Sequence, residues 1–346
     1  MKEVLAEDFQ QIAKSNVPWE KLKNRTFLIT GATGLIGSLL VKFLLFANRE
    51  CGLGAKVLAV VRNTEKADRI FAEDKNDALS YVVADLAKDP IHFEGECDYI
   101  VHAAAVTASK VMVSDPVGTI RTAIDGTEKM LQLAVEKKTK AFVYISSMEI
   151  YGQPKTEGKT AEKDLGYIDI ETVRSCYPEG KRMCECLCTA YASQYGVNVI
   201  SARLAQTFGA GILPTENRVF AQFARSAMRG ENIVLHTTGE SEGNYVYTAD
   251  AIRAILTLLV KGKAGEAYNI ANEESHITIR EMAELVANEI AGGKIQAVID
   301  IPKDSASLGY APPVKMWLDA SKMHALGWQP QTGLVDAYRR MIRWME

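Results

Sequence analysis

Three glycines interrupt an apolar stretch near the start of the chain, in TFLITGATGLIGSLLVKFLL at residues 26–45. The run FLI at 27–29 has the length of a buried strand, whereas the apolar residues from Leu39 to Leu44 recur at helical spacing. Glycine adopts backbone angles closed to other residues and lets a ligand approach the main chain. The sequence therefore predicts a strand-to-helix turn, with an anion site at the start of the helix.

The glycines themselves are Gly31, Gly34 and Gly37, in the pattern G-x-x-G-x-x-G. This spacing differs by one residue from the G-x-G-x-x-G of dinucleotide-binding folds. Glycines that merely close a tight connection would give the same pattern. The rest of the chain therefore has to distinguish a dinucleotide-binding turn from a purely structural one.

Further apolar runs alternate with helical or loop segments along the first 209 residues. Such alternation predicts an α/β fold with a Rossmann-like, doubly wound parallel sheet, in which ligands bind beyond the carboxyl ends of the strands. The predicted strands after the glycine turn are KVLAVVRN (56–63), ALSYVVADL (78–86), CDYIVHAAA (97–105), AFVYISSMEIYG (141–152) and VNVISARLAQTFG (197–209).

The chain divides into three predicted parts. Residues 1–24 form an N-terminal extension with a short amphipathic helix, and residues 25–209 form the Rossmann-like domain that carries the glycine turn. Residues 210–346 form a smaller mixed α/β C-terminal substrate lobe, in which NIVLHTTG and EAYNIAN are strand-like pieces. No low-complexity linker separates the two larger parts, so we expect an interleaved boundary and close coupling.

Composition narrows the class of protein. The 346 residues are 47% hydrophobic, with a formal net charge of -3 and no long basic run, which argues against nucleic acid as a partner. No apolar stretch reaches the roughly 20 residues of a membrane span. The acidic, polar first residues do not resemble a signal peptide, so a cytoplasmic location is predicted.

The cysteines from Cys184 to Cys188 lie in a helical pattern without a nearby histidine, which indicates packing and no metal site.

Tyr177 and Lys181 lie four residues apart in SCYPEGKRM, on one face of a predicted helix. An ammonium near a phenol favours the phenolate and lowers its pKa, so the pair is suited to acid–base chemistry. Such pairs are common on protein surfaces. A glycine-rich turn and a strand ending in Ser146 and Ser147 make a functional role the better interpretation.

Taken together, these motifs resemble the extended short-chain dehydrogenase/reductases, in particular the nucleotide-sugar epimerases, dehydratases and decarboxylases. UDP-glucuronate decarboxylases are the most similar in several segments, including the EGKR after the tyrosine. The resemblance spans nearly the whole chain and rests on TGATGLIG, ADL (84–86), HAAA (102–105), SSMEIYG (146–152), YPEGK (177–181), ARLAQTFG (202–209) and ALGWQP (325–330).

The resemblance implies redox chemistry on a sugar. Tyr177 would take the proton of the sugar 4-hydroxyl while hydride leaves C4, and Ser147 would hydrogen-bond the same oxygen. Lys181 would hold the nicotinamide ribose and tune Tyr177. Glu149 would act as the base or carboxylate partner at the carbon acidified by the 4-keto intermediate.

The resemblance also implies a set of cofactor-binding residues. Arg62 ends the second strand where NAD-binding members carry an acid, so it indicates NADP over NAD, although it could instead stack on adenine or point to solvent. The full set is Gly31, Thr33, Gly34, Leu35, Ile36, Gly37, Arg62, Asp85, Leu86, Ala103, Ala104 and Lys181.

Several positions depart from the family pattern. Met148 stands where 4,6-dehydratases have an acidic residue, and Ala123 and Gln206 each replace an asparagine. Gly243 replaces an arginine that grips the nucleotide diphosphate. The loss of this arginine implies weaker binding, a compensating cation such as Arg218, or a different substrate class. Gln206, which keeps the amide, and Arg218 are the predicted substrate-binding residues.

These features leave three functions open. The first is epimerisation, dehydration or decarboxylation of a nucleotide sugar, by a homodimer formed through the helices at 116–136 and 177–195. Net NADPH-dependent reduction of a small carbonyl is the second, favoured by Arg62 and by the glycine at 243. A regulatory dinucleotide-binding protein without catalysis is the third, and the presence of Ser147, Tyr177 and Lys181 argues against it.

Overall fold

The computed structural model describes residues 1–156, 158–302 and 314–346. The strands are β1 Thr26–Thr30, β2 Lys56–Val61, β3 Leu79–Val83, β4 Tyr99–His102, β5 Ala141–Ser147, β6 Val199–Leu204, β7 Gln206–Phe208, β8 Ile233–Leu235, β9 Glu242–Tyr247, β10 Ala267–Ile270, β11 Asn272–Thr278 and β12 Ala297–Ile299.

Helices connect and flank these strands. They are α1 Glu3–Ala13, α2 Trp19–Leu22, α3 Leu35–Cys51, α4 Thr64–Phe71, α5 Ser109–Ser114, α6 Pro116–Glu136, α7 Cys176–Tyr195, α8 Val219–Arg229, α9 Thr248–Lys261, α10 Ile279–Leu285, α11 Ser321–His324 and α12 Leu334–Met345. Short 3₁₀ turns at Met148–Tyr151 and Val173–Ser175 flank the loop before α7, and a π turn at Val286–Ile290 extends α10.

Seven parallel strands form the main sheet, in the order β3-β2-β1-β4-β5-β6-β10. The order reverses between β1 and β4, which is the point where doubly wound sheets bind their ligands. The predicted Rossmann-like parallel sheet is confirmed. Because all seven strands run the same way, the residues that end β1, β4 and β5 lie along one edge.

Helices cover both faces of the main sheet. On one face α1, α3 and α9 pack over the strands, and Leu40, Phe43 and Ile255 are fully buried there. On the other face α6 packs against α7, and Met130 and Cys184 are fully buried. From Gly37 to Ala47 every residue of α3 except Lys42 is buried, because α1 and α9 cover sides of the helix that do not face the sheet.

Two predicted strands of the C-terminal half were assigned wrongly. The segment predicted as one strand at 197–209 breaks at Ala205, after which β7 leaves the main sheet and pairs with β9. EAYNIAN, predicted to lie in the lobe, contributes β10, which pairs with β6 and forms the edge of the main sheet. The buried side chains Tyr268 and Ile270 explain that placement, because β10 covers an edge that would otherwise be open.

The smaller lobe is mixed, as predicted. Its three-stranded sheet has the order β11-β9-β7, with β11 antiparallel and β7 parallel to β9, and a two-stranded parallel sheet joins β8 to β12. The helix predicted in RVFAQFARSAMRG is α8, and ITIREMAELVANEI forms α10 and the π turn that follows it.

The N-terminal helix is tied to the C-terminal one through buried charge. Asp8, on α1, is 1% exposed; its carboxylate accepts a hydrogen bond from the Tyr247 hydroxyl at 2.6 Å and pairs with Arg340 of α12 at 2.8 Å. Burial raises the pKa of Asp8 to about 6. One face of α1 therefore packs into the core, where Val4, Leu5, Phe9 and Ile12 are buried beside Asp8.

Among the helices of the described residues, none combines the length and the apolar character needed to cross a membrane.

Candidate functional site

The predicted glycine turn joins β1 to α3 with very little space inside it. Gly31 has a φ of +63°, and a Cβ there would lie 2.7 Å from the backbone of Ala103. A Cβ on Gly37 would lie 2.3 Å from the carbonyl oxygen of Gly31. The N–H of Gly34 donates to that same carbonyl at 2.8 Å, which closes the turn.

The start of α3 is open to an anion. Gly34 is its N-cap, and among the described residues no side chain caps the helix, so the first-turn amides of Leu35 and Ile36 are not satisfied by a cap. Thr33, Leu35 and Ile36 are partly buried around the turn. Bare backbone, free amides and a 17-residue helix dipole fit the pyrophosphate of a dinucleotide.

The end of β4 is fixed against this turn. The Thr30 hydroxyl accepts from the Ala104 N–H at 3.1 Å and bonds with Nδ1 of His102 at 2.7 Å. His102 is fully buried between Thr30 and Thr127, and burial lowers its pKa to about 3. It is thus a neutral structural residue, while Ala103 and Ala104 remain partly exposed beside the glycines.

The residues predicted to contact the adenosine half lie at the ends of β2 and β3. Arg62 is exposed directly after β2, and Asn63 caps α4 through Lys66. Asp85 is partly exposed, and its carboxylate accepts from the Ala87 N–H at 3.1 Å. Leu86 is buried against α6 and offers little surface to a ligand.

Ser147 and Glu149 lie where β5 ends. Ser147 is the last residue of that strand, opposite Leu204 of β6, and its hydroxyl accepts from the Glu149 N–H at 3.2 Å. This bond caps the 3₁₀ turn Met148–Tyr151 that carries Glu149. The two side chains are therefore presented together at the carboxyl edge of the sheet.

Tyr177 and Lys181 lie on one face of α7, as their spacing predicts. Lys181 is 4% exposed; its ammonium donates to the Ile145 carbonyl at 2.7 Å and lies 5.9 Å from the centre of the Tyr177 ring. Arg182 on the same helix donates to the Ile150 carbonyl at 2.7 Å. This contact fixes α7 against the turn that carries Glu149.

The expected lowering of the Tyr177 pKa by Lys181 is wrong for this structure. Burial raises the pKa of Tyr177 to about 12, with the negative charge of Glu149 acting in the same direction and hydrogen bonding with Ser147 acting against it. Burial also lowers the pKa of Lys181 to about 8. Removing both groups from water disfavours both charged forms, and the backbone carbonyl rather than the phenol takes the ammonium.

Arg174 is a site residue that the sequence analysis missed. Its Nη2 lies 2.8 Å and 3.1 Å from the two carboxylate oxygens of Glu149, and its guanidinium carbon lies 5.4 Å from the centre of the Tyr177 ring. In the sequence, only its position three residues before Tyr177 indicated a role. The direction of the Arg174 side chain depends on the 3₁₀ turn Val173–Ser175.

The predicted substrate-side residues belong to the smaller lobe. Gln206 opens β7 and is partly exposed. Arg218 precedes α8 and pairs with Glu216 through Nη2 at 2.7 Å; its positive charge lowers the pKa of Tyr177.

Gly243 is not required by the fold. A Cβ at this buried position would lie 3.7 Å from the Met316 carbonyl and 3.9 Å from Cε of Met148, which are ordinary contacts. The space into which a side chain would project is thus bordered by the Met148 thioether.

The cysteines of α7 pack as predicted. Cys184 and Cys188 are buried, whereas Cys186 is exposed. The part of the chain that the structure describes holds no group of three or more His, Cys, Asp or Glu side chains placed for a metal ion.

Comparison with known proteins places this geometry in a family. Residues 27–271 match the model of the NAD dependent epimerase/dehydratase family. UDP-glucuronic acid decarboxylase 6 of Arabidopsis thaliana is 30% identical over 321 residues, covering 90% of this chain and 86% of that protein. UDP-glucuronic acid decarboxylase 1 of Danio rerio is 27% identical over 332 residues, covering 94% and 73%.

Solved structures agree in fold. UDP-glucose 4-epimerase of Thermotoga maritima, with UDP-glucose, aligns with a TM-score of 0.76 at 24% identity, covering 92% of this chain and 98% of that one. UDP-glucuronic acid 4-epimerase of Bacillus cereus, in complex with NAD, gives 0.73 at 21% identity, covering 92% and 98%. The chain belongs to the NAD-dependent epimerase/dehydratase family.

Proposed function

We propose that this protein epimerises, dehydrates or decarboxylates a nucleotide-activated sugar through a 4-keto intermediate, with NAD or NADP recycled in each turnover. The observation that carries the proposal is the arrangement along one sheet edge. There the glycine turn ends β1, Ser147 ends β5, and α7 brings Tyr177 and Lys181. The decarboxylase relatives and the epimerase neighbours support the same substrate class.

The dinucleotide, when bound, supplies a nicotinamide that accepts hydride from the sugar and returns it. Gly31, Gly34 and Gly37 hold its pyrophosphate with the amides of Leu35 and Ile36. Ala103 and Ala104, which follow β4, line the same cofactor site. The other residues that we assign to the cofactor are Thr33, Arg62, Asp85, Leu86 and Lys181.

On the substrate side, Tyr177 exchanges a proton with the sugar 4-hydroxyl while Ser147 hydrogen-bonds that oxygen. A phenol whose pKa is raised to about 12 is protonated near neutral pH, which is the form that donates a proton when the 4-keto group is reduced. In the oxidative direction the same group must lose its proton, and each cation near the ring favours that loss. Glu149 is the carboxylate partner at the adjacent carbon.

Gln206 and Arg218 contact the nucleotide sugar in this proposal. Arg218 supplies the positive charge that Gly243 lacks, because it is close enough to act on Tyr177 and reaches the site from the start of α8. Met148 stands in place of the acid that a 4,6-dehydratase would use, so we propose epimerisation or decarboxylation in preference to dehydration.

Neither alternative function is favoured by the comparisons. The named relatives and neighbours act on nucleotide sugars, and none is named as a small-carbonyl reductase or as a regulator. Arg62 still supports NADP over NAD as the finer assignment, because an exposed guanidinium after β2 can pair with a 2′-phosphate.

We further propose a cytoplasmic homodimer joined through α6 and α7. Val117 and Ile120 on α6 and Met183 on α7 are exposed hydrophobic side chains on the two helices. A second copy would remove this apolar surface from water.

Two measurements test the proposal. Mass spectrometry of the dinucleotide released on denaturing fresh protein should find stoichiometric NAD⁺ or NADP⁺; protein that binds NADPH only loosely would favour the reductase. Tyr177→Phe should then lower turnover of the nucleotide sugar by about 10²- to 10⁴-fold while the dinucleotide stays bound. Tyr195→Phe, an exposed tyrosine on the same helix, is the matched control. Activity of Tyr177→Phe close to that of this control would refute the assigned acid–base role.

A further inference from the structure

Charged groups of both signs surround the Tyr177 ring. Apart from Lys181, they come from elements other than α7, so tertiary structure brings them to the ring. The groups that act on Tyr177 are Ser147 at the end of β5, Glu149 on the first 3₁₀ turn, Arg174 on the second, Lys181 on α7 itself and Arg218 before α8, with Tyr144 of β5 packed under Lys181.

Glu149 creates an electrostatic problem at this site. A carboxylate beside a buried phenol disfavours the phenolate, and its charge is the largest cause after burial that raises the pKa of Tyr177. An acid–base tyrosine must nevertheless ionise during turnover. A chain that places a carboxylate here therefore needs a compensating cation.

Arg174 is built into a position that meets this need. Asp169 fixes the turn that carries it: the Asp169 carbonyl accepts from the Ser175 hydroxyl at 2.6 Å, and its carboxylate accepts from the Thr172 hydroxyl at 3.1 Å. The Arg174 guanidinium then lies between the Glu149 carboxylate and the face of the Tyr177 ring. Among the described ion pairs, Arg218 is joined to Glu216 and Arg174 to Glu149.

We propose that Arg174 is a positioning residue for the reaction: its guanidinium fixes the Glu149 carboxylate and offsets that negative charge beside the Tyr177 ring. The inference rests on the proposed function, since it assigns Arg174 a role only through Glu149 and Tyr177. The charge of Arg174 acts on Tyr177 in the direction opposite to that of Glu149, which is the sign that compensation requires.

The test measures the ionisation of Tyr177 directly, in the purified full-length chain labelled with difluorotyrosine. Fluorination makes the phenol more acidic, which brings its titration into a pH range where proteins stay folded. Of the 13 tyrosines, the ¹⁹F signal of Tyr177 is the one that disappears in Tyr177→Phe.

Four variants have different expected titration midpoints. Arg174→Gln should raise the titration midpoint of the Tyr177 signal by about one pH unit, because Glu149 is then uncompensated. Glu149→Gln should lower the midpoint by about the same amount. The double variant should return to within about half a pH unit of the parent, because both charges are gone. Arg174→Lys, which keeps the charge, should stay near the parent.

The control is Arg339→Gln, which breaks the exposed ion pair with Asp336 on α12 and should not move the signal. An unchanged or lowered midpoint in Arg174→Gln overturns the inference, as does a Lys variant that behaves like the Gln variant. If Arg174→Gln does not fold, Glu149→Gln decides the question. A titration midpoint of Tyr177 that does not fall in Glu149→Gln refutes the compensation. Retained turnover in Tyr177→Phe would instead refute the proposed function, so the two failures are distinguishable.

Discussion

Replacing Gly37 by alanine tests whether the turn between β1 and α3 is as tight as its geometry indicates. The added Cβ would lie 2.3 Å from the Gly31 carbonyl oxygen, where backbone must move. Gly31 cannot retreat, because its own Cα approaches the Ala103 backbone so closely that a Cβ there would lie 2.7 Å away. The clash therefore has no side chain that could absorb it.

The magnitude follows from two opposing effects. Overpacking costs about 1–3 kcal/mol, and contact with fixed backbone places this site near the upper value. Alanine in place of glycine within a helix contributes about 1 kcal/mol in the other direction. We expect Gly37→Ala to lower the free energy of unfolding by about 2 kcal/mol.

Gly180→Ala is the matched control on α7. Its Cβ would meet only Cβ of Ala123, at 3.6 Å, which is an ordinary contact. The same chemical change should therefore stabilise the protein by up to about 1 kcal/mol. The two variants are thus expected to shift stability in opposite directions.

Urea unfolding followed by circular dichroism compares the two variants with the parent, and a fluorescence titration measures their dinucleotide affinity. Gly37→Ala should also bind the dinucleotide at least about tenfold more weakly, a loss of about 1.4 kcal/mol, because the displaced turn no longer presents its amides. A Gly37→Ala protein with parental stability and parental affinity would refute the reasoning. Lost stability with unchanged affinity would show that the turn is structural only.

Two further predictions concern charge. Arg62→Asp should move preference from NADP toward NAD by about tenfold or more, and unchanged relative affinities for the two dinucleotides would mean that Arg62 does not contact the 2′-phosphate. Asp8 has a folded pKa of about 6, raised from 3.8, so its contribution to stability is complete below pH 3.8 and is lost as the pH rises through about 6. Asp8→Asn removes that dependence, and its stability relative to the parent should increase between pH 4 and pH 7 by roughly 2 kcal/mol; parallel curves from urea unfolding would contradict this.

The main sheet could be predicted from the sequence because its strands are short apolar runs separated by turns. The break at Ala205 could not, since the chain stays apolar on both sides of it while changing sheets. β10 was misplaced for a related reason: a four-residue strand carries no mark of the partner it pairs with.

The candidate site, like the fold, could be predicted only in part. Spacing predicted that Tyr177 and Lys181 share a face, because helix geometry fixes that relation. It could not predict the pKa of Tyr177, which depends on burial and on Glu149, both contributed by tertiary structure. Arg174 was missed because its direction is set by a turn that Asp169 stabilises, and that turn has no apolar period to reveal it.

The placement of β10 at the edge of the main sheet has a consequence for synthesis of the chain. Until the ribosome has added Ala267–Ile270, the edge of β6 that pairs with β10 stays unpaired. Open strand edges invite pairing with other chains. The half that holds the glycine turn therefore cannot finish folding cotranslationally as an N-terminal unit, and a fragment ending at residue 209 would keep an aggregation-prone edge permanently exposed.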